Sequence, residues 1–99
     1  MSVVIRIHGW ANGLTCHVAG QWIKSVDVQK APLTEEWLIT TTDIMRAYRW
    51  EDKREALETY YEVLESDPIR PDGKPNRPLT ALTIEIQPAP LGNGDFKWR

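Results

Sequence analysis

Val3, Ile5 and Ile7 alternate with Val4, Arg6 and His8 at the start of the chain. A period of two puts the β-branched set on one face of a pleated ribbon, so the pattern predicts a strand over 3–8. Gly9-Trp10-Ala11-Asn12-Gly13 gathers residues that turn the backbone cheaply, and predicts a loop. Alternation resumes at Leu14, Cys16 and Val18. After Gly20 the run 21–28, with Trp22, Ile23, Val26 and Val28, predicts a second and longer extended segment, with a hairpin through Ala19 and Gly20. Pro32 has no N–H for a ladder and interrupts the pattern. Aromatic, aliphatic and threonine residues over 36–41 then predict a third sheet element.

The periodicity changes in the second half. Thr42 or Asp43 can cap a single helical turn over 43–47. From Glu51 to about Glu65, the positions Ala56, Leu57, Tyr60, Tyr61 and Leu64 form a broad stripe at helical spacing, which predicts one long helix with Leu57 and Leu64 turned to the sheet. Glu51 and Asp52 suit its N-terminus, and Asp67-Pro68 forbids its continuation. Four prolines and a Pro-Asp-Gly turn make 68–78 an irregular connection. Leu82, Ile84 and Ile86 then alternate with Thr83, Glu85 and Gln87 in a final strand over 79–87, placed centrally or beside the first strand. The predicted fold is α+β: a mainly antiparallel sheet of four or five strands with one long helix across one face. It forms a single domain over 1–87, followed by a flexible tail rich in proline and glycine over 88–99.

Ninety-nine residues suffice for one core and not for two. A formal charge of −2 excludes nucleic-acid binding by bulk charge. Cys16 is the sole cysteine and cannot form an internal disulfide, which fits a reducing, cytoplasmic setting. No apolar run approaches the roughly 20 residues of a membrane span, so no membrane association is expected. His8, Cys16 and His17 are the only residues of a potential zinc site. Neighbours in a strand point to opposite faces, so Cys16 and His17 cannot close one shell, and Cys16 reads as a small core residue. No catalytic constellation, cofactor motif or metal site is therefore assigned. Of five tryptophans, Trp22, Trp37 and Trp50 are expected in or near the core, leaving Trp10 and Trp98 as interface anchors.

Charge is unevenly distributed. Residues 51–67 carry seven acidic side chains and two basic ones, a net −5, which leaves +3 on the rest of the chain. One reading is a solvated helix face with Arg54 and Glu58 paired at i,i+4. The other is an acidic ridge that meets a basic protein surface or imitates nucleic acid, with Glu55, Glu58, Glu62 and Glu65 as its contact residues. Arg46, Arg49, Arg70, Lys74 and Arg77 form a basic counter-set. They are expected to pair with the acidic helix, or alternatively to bind phosphates in a small nucleic-acid module.

Three segments carry a resemblance: Gly20-Gln21-Trp22-Ile23-Lys24-Ser25, the run from Thr41-Thr42-Asp43 to Tyr48-Arg49-Trp50 leading into the acidic helix, and Arg70-Pro71-Asp72-Gly73-Lys74-Pro75 with the residues up to Ala81. In order and spacing, over about residues 3–87, they resemble a loose group of short accessory proteins encoded by tailed bacteriophages and prophages. The resemblance implies genomic context and the cytoplasm of a bacterial host, and it supplies no catalytic residues. Together with the acidic ridge it implies a non-enzymatic protein that binds a host or phage protein with a basic surface, in its specific form an inhibitor of a host nucleic-acid-handling or defence system. A homodimer is compatible with it, and a minor virion or assembly protein is the remaining alternative.

Overall fold

The computed structural model describes residues 2–31 and 35–90. Four strands, β1 (Val3–Trp10), β2 (Trp22–Val26), β3 (Leu38–Thr41) and β4 (Leu82–Pro88), form one antiparallel sheet in the order β3-β2-β1-β4. One helix, α1 (Lys53–Tyr60), contacts β1. The α+β class follows, with β1 inside the sheet and β4 at its edge. Val4, Ile5 and Ile7 have no exposed surface at all, which explains why the most β-branched stretch of the chain is the inner strand. Ile5, Ile7, Ile23, Val28, Leu79 and Leu82 build the core around Trp50. Trp50 exchanges two main-chain hydrogen bonds with Val3, both 2.9 Å, and its indole N–H donates to Thr59 Oγ1 at 3.0 Å. The polar edge of the one 3% exposed tryptophan is thereby satisfied.

β1 runs two residues further than its alternation predicts, through a bulge between Ile7 and Gly9. A Cβ at Gly9 would lie 2.8 Å from the Leu14 carbonyl oxygen, so only glycine lets the following loop close on the strand. That loop replaces the strand expected over 14–18. Leu14 is 64% exposed, its N–H is held by the Asn12 side chain, and its carbonyl accepts from Trp10 N–H. Local turns from Cys16 to Ala19 and from Val18 to Gln21 use the groups a ladder would need. Gly20, at φ +86°, donates to Ile7 and delivers the chain to the shorter β2. Glu36 and Trp37 belong to a 3₁₀ turn, Glu35–Trp37, and β3 starts only at Leu38. The last strand begins at Leu82, because Pro78–Ala81 forms another 3₁₀ turn. Pro88 ends β4, and Ala89 N–H still donates to Ser2. The tail from residue 91 lies outside the described residues.

The predicted long helix is the largest correction. Asp52 caps α1 as expected, accepting from Glu55 N–H at 2.9 Å, but the helix ends at Tyr60 after eight residues. Thr59, Tyr60, Tyr61 and Val63 are all weak helix formers, so little holds the segment helical once better partners exist. Those partners are tertiary: Leu64 N–H donates to Asn76 C=O at 2.9 Å and Glu65 N–H to the Gln29 side chain at 2.8 Å. The helix meets the core through Ala56, which is fully buried, and through Tyr60. Leu57 is only half-buried, at the flank, and Leu64 is buried from the irregular segment after the helix. By contrast, the capped turn is present over Ile44–Arg46, with Asp43 accepting from Met45 N–H at 3.0 Å.

This packing separates two leucine truncations. Leu79→Ala, at a fully buried site, should lower unfolding free energy in urea by about 2–5 kcal/mol, and Leu57→Ala by about 1 kcal/mol or less. Equal losses would reject the placement of the core.

Candidate protein-binding surfaces

The four candidate acids do not share one helical strip. Glu55 and Glu58 are exposed on α1, whereas Glu62 and Glu65 lie beyond its end. Glu62 is half-buried and accepts from Gln29 Nε2 at 2.7 Å; Glu65 is exposed. Arg54 and Glu58 form no ion pair among the described residues. Three of the five basic residues expected to neutralise the helix have other partners. Arg46 pairs with Asp43 at 3.8 Å and Arg70 with Asp72 at 3.3 Å. Arg77 donates to the Tyr61 carbonyl at 2.8 Å and stacks on the Tyr61 ring. That places a cation at the C-terminal end of α1, where the free carbonyls and the helix dipole favour it. The acidic charge of 51–67 thus stays largely uncompensated and faces solvent at Glu51, Glu55, Glu58 and Glu65.

Gln29 organises this surface, and no sequence signal singled it out. Its side chain donates to Glu62 and to the Val63 carbonyl and accepts from Glu65 N–H, at 2.7, 2.9 and 2.8 Å. An isolated glutamine after an Asp27-capped turn reveals nothing of a contact 33 to 36 residues away. With about 0.5–1.5 kcal/mol net for each of these three bonds, Gln29→Ala should cost about 1.5–4.5 kcal/mol in urea unfolding and speed amide exchange at Glu65. An unchanged Glu65 amide would remove Gln29 from this role.

Trp10, 42% exposed, projects at the end of β1 over a hollow of about 470 Å³ lined with Trp37, Leu38, Pro78 and Leu82. Cys16 is buried in the wall of this hollow and His17 is exposed beside it. Among the described residues no three His, Cys, Asp or Glu side chains converge to hold a metal ion. Trp22 and Trp37 pack half-buried, and Trp98 lies outside the described residues.

The face of the sheet that bears Arg6 and His8 carries a polar ladder. Arg6 lies over the Trp22 ring at 5.3 Å, Trp22 Nε1 donates to Gln87 at 3.0 Å, and His8 Nε2 meets Glu85 Oε1 at 2.8 Å. The hydrogen bond from His8, and after it that from Gln87, holds the Glu85 carboxyl below its ordinary value. Bonding favours the charged form, so its contribution is present above the unfolded carboxylate range and disappears as pH falls through the lowered value. In a carboxyl-resolved NMR titration, His8→Ala should therefore raise the Glu85 midpoint, and an unmoved midpoint would show that His8 is not the cause.

On the far side, Tyr60 Oη donates to Leu82 C=O at 2.7 Å. Burial raises the Tyr60 pKa and keeps the hydroxyl a donor. Between this flank of α1 and β4 runs a groove of about 370 Å³ walled by Leu57, Tyr60, Tyr61, Ile84 and Ile86.

In comparison with known proteins, no family model matches the chain, and no curated protein or solved structure shows significant similarity to it. No helix among the described residues is long and apolar enough to cross a membrane.

Proposed function

We propose that this chain is a non-enzymatic accessory protein of bacteriophage or prophage type that acts by binding a host or phage protein with a basic surface. The observation that carries this reading is the segregation of charge. The acids at Glu51, Glu55, Glu58 and Glu65 are exposed, while Arg46, Arg70 and Arg77 are held by partners outside that set. Uncompensated like charge on one segment costs stability through repulsion and offers complementarity and fast association with a cationic partner. The same use of arginines weakens the nucleic-acid reading, since those side chains are already committed to local contacts. In its specific form the partner is a host nucleic-acid-handling or defence protein whose own basic groove accepts the acidic face. Trp10 supplies a second, apolar anchor.

The test is a pull-down from bacterial lysate with the wild type and with the triple variant Glu55→Lys, Glu58→Lys, Glu65→Lys. Glu62 is left in place because Gln29 holds it. The variant should remain folded, as exposed charges contribute little to stability. It should lose about tenfold in affinity at low salt, and the gap should narrow as salt screens the interaction. A folded variant that keeps every partner at low salt overturns the acidic-face reading.

A further inference from the structure

β4 is an edge strand with main-chain groups left over. Ile7 donates to Gln21 C=O at 2.8 Å and accepts from Gly20 N–H at 2.7 Å, so its main-chain groups point toward β2. Directly opposed residues in an antiparallel ladder turn their groups away from each other when the pair is not hydrogen-bonded. Ile84, opposite Ile7, and Ile86, opposite Ile5, therefore present N–H and C=O to the outside. Leu82 points outward too, but its N–H goes to Leu79 C=O and its C=O is taken by Tyr60. Among the described residues nothing pairs with the main chain of Ile84 or Ile86. The usual guards of an edge are also turned inward: Thr83 Oγ1 bonds Trp10 C=O, Glu85 bonds His8, and Gln87 bonds Trp22. These open groups border the groove beside α1, whose wall joins Leu57, Tyr61, Ile84 and Ile86 with the polar Lys53 and Thr83.

We propose that this edge accepts a fifth strand from an extended segment of a partner protein, with apolar residues at every second position and a basic residue between them. The apolar side chains enter the groove against Leu57 and Tyr61, the latter 51% exposed. The intervening residue stands opposite Glu85, whose side chain is 49% exposed and charged, and a cation there gains a cross-strand pair. A second copy of this chain does not fit the edge. Two-fold pairing centred on Glu85 sets two carboxylates opposite each other. Centred on Ile86, it puts Pro88, which has no N–H, opposite Ile84. Centred on Ile84, it puts Leu82, already fully bonded, opposite Ile86. The inference concerns a different surface from the acidic face and does not rest on it.

The probe is a capped seven-residue peptide of alternating valine and lysine, added to the isotope-labelled full chain in about 0.3 M salt, where long-range attraction is screened. Amide exchange at Ile84 and Ile86 is read by NMR. Both amides should exchange freely in the chain alone and slow at least about tenfold with millimolar peptide. The same peptide N-methylated at its valines should have no such effect, because it lacks the donors that the edge requires. Ile84→Pro, tolerated where the N–H faces outward, should reduce peptide affinity. Three results overturn the proposal: amides already protected in the free chain, no slowing with the peptide, or equal binding by the N-methylated peptide. The methylated control keeps the test decisive if the proline variant fails to fold.

Discussion

Strand β1 must be bonded on both edges, and the rest of the molecule is arranged around that requirement. Val4, Ile5 and Ile7 leave no surface to solvent, so their N–H and C=O groups need protein partners. β4 supplies one edge along its length. The other edge is shared by Trp50, the Gly20–Gln21 turn and β2, since β2 alone is too short. Trp50 therefore serves two ends: its backbone completes the ladder at Val3, and its ring fills the core under α1 through the bond to Thr59. An eight-residue helix would be marginal by itself, and here it is held by Ala56 and Tyr60 on that platform.

The surfaces follow from how the helix stops. Because α1 ends at Tyr60, the chain beyond it is tied down by Gln29 and Asn76, and Arg77 is drawn to the Tyr61 carbonyl. One consequence is electrostatic: the Arg77 guanidinium sits at the end of the helix and forms no ion pair with Glu55 or Glu58. Another is geometric. Among the described residues, a short helix lying against β1 leaves the outer edge of β4 uncovered, with Tyr60 closing only its first carbonyl. The split of the acids between α1 and the segment after it, and the position of the β4 edge, thus share a cause in a helix that is shorter than its apolar stripe.

Alternation at 3–8 and 82–87 was legible because each strand has one apolar and one polar set, and their pairing needs nothing beyond that pattern. The Asp43 and Asp52 caps were legible for the same reason, since a cap is a contact of two or three residues. Leu14, Cys16 and Val18 show an equal alternation, yet they form turns, because the Gly9 bulge brings the Leu14 carbonyl back onto Trp10. The acidic character of 51–67 could be counted from the letters, but that Glu62 and Glu65 lie beyond the helix could not.

What the sequence determined by itself was local: periodicity, caps, turns and the sign of charge on each segment. The tertiary structure decided where α1 ends, which arginines remain for the acids, and that β4 lies at the edge of the sheet. These outcomes depend on contacts between residues 12 or more apart, such as Gln29 with Glu65 and Tyr60 with Leu82. Weak helix propensity at Thr59, Tyr60 and Tyr61 sets only a small energy against continuing the helix, so a few distant hydrogen bonds are enough to choose its end.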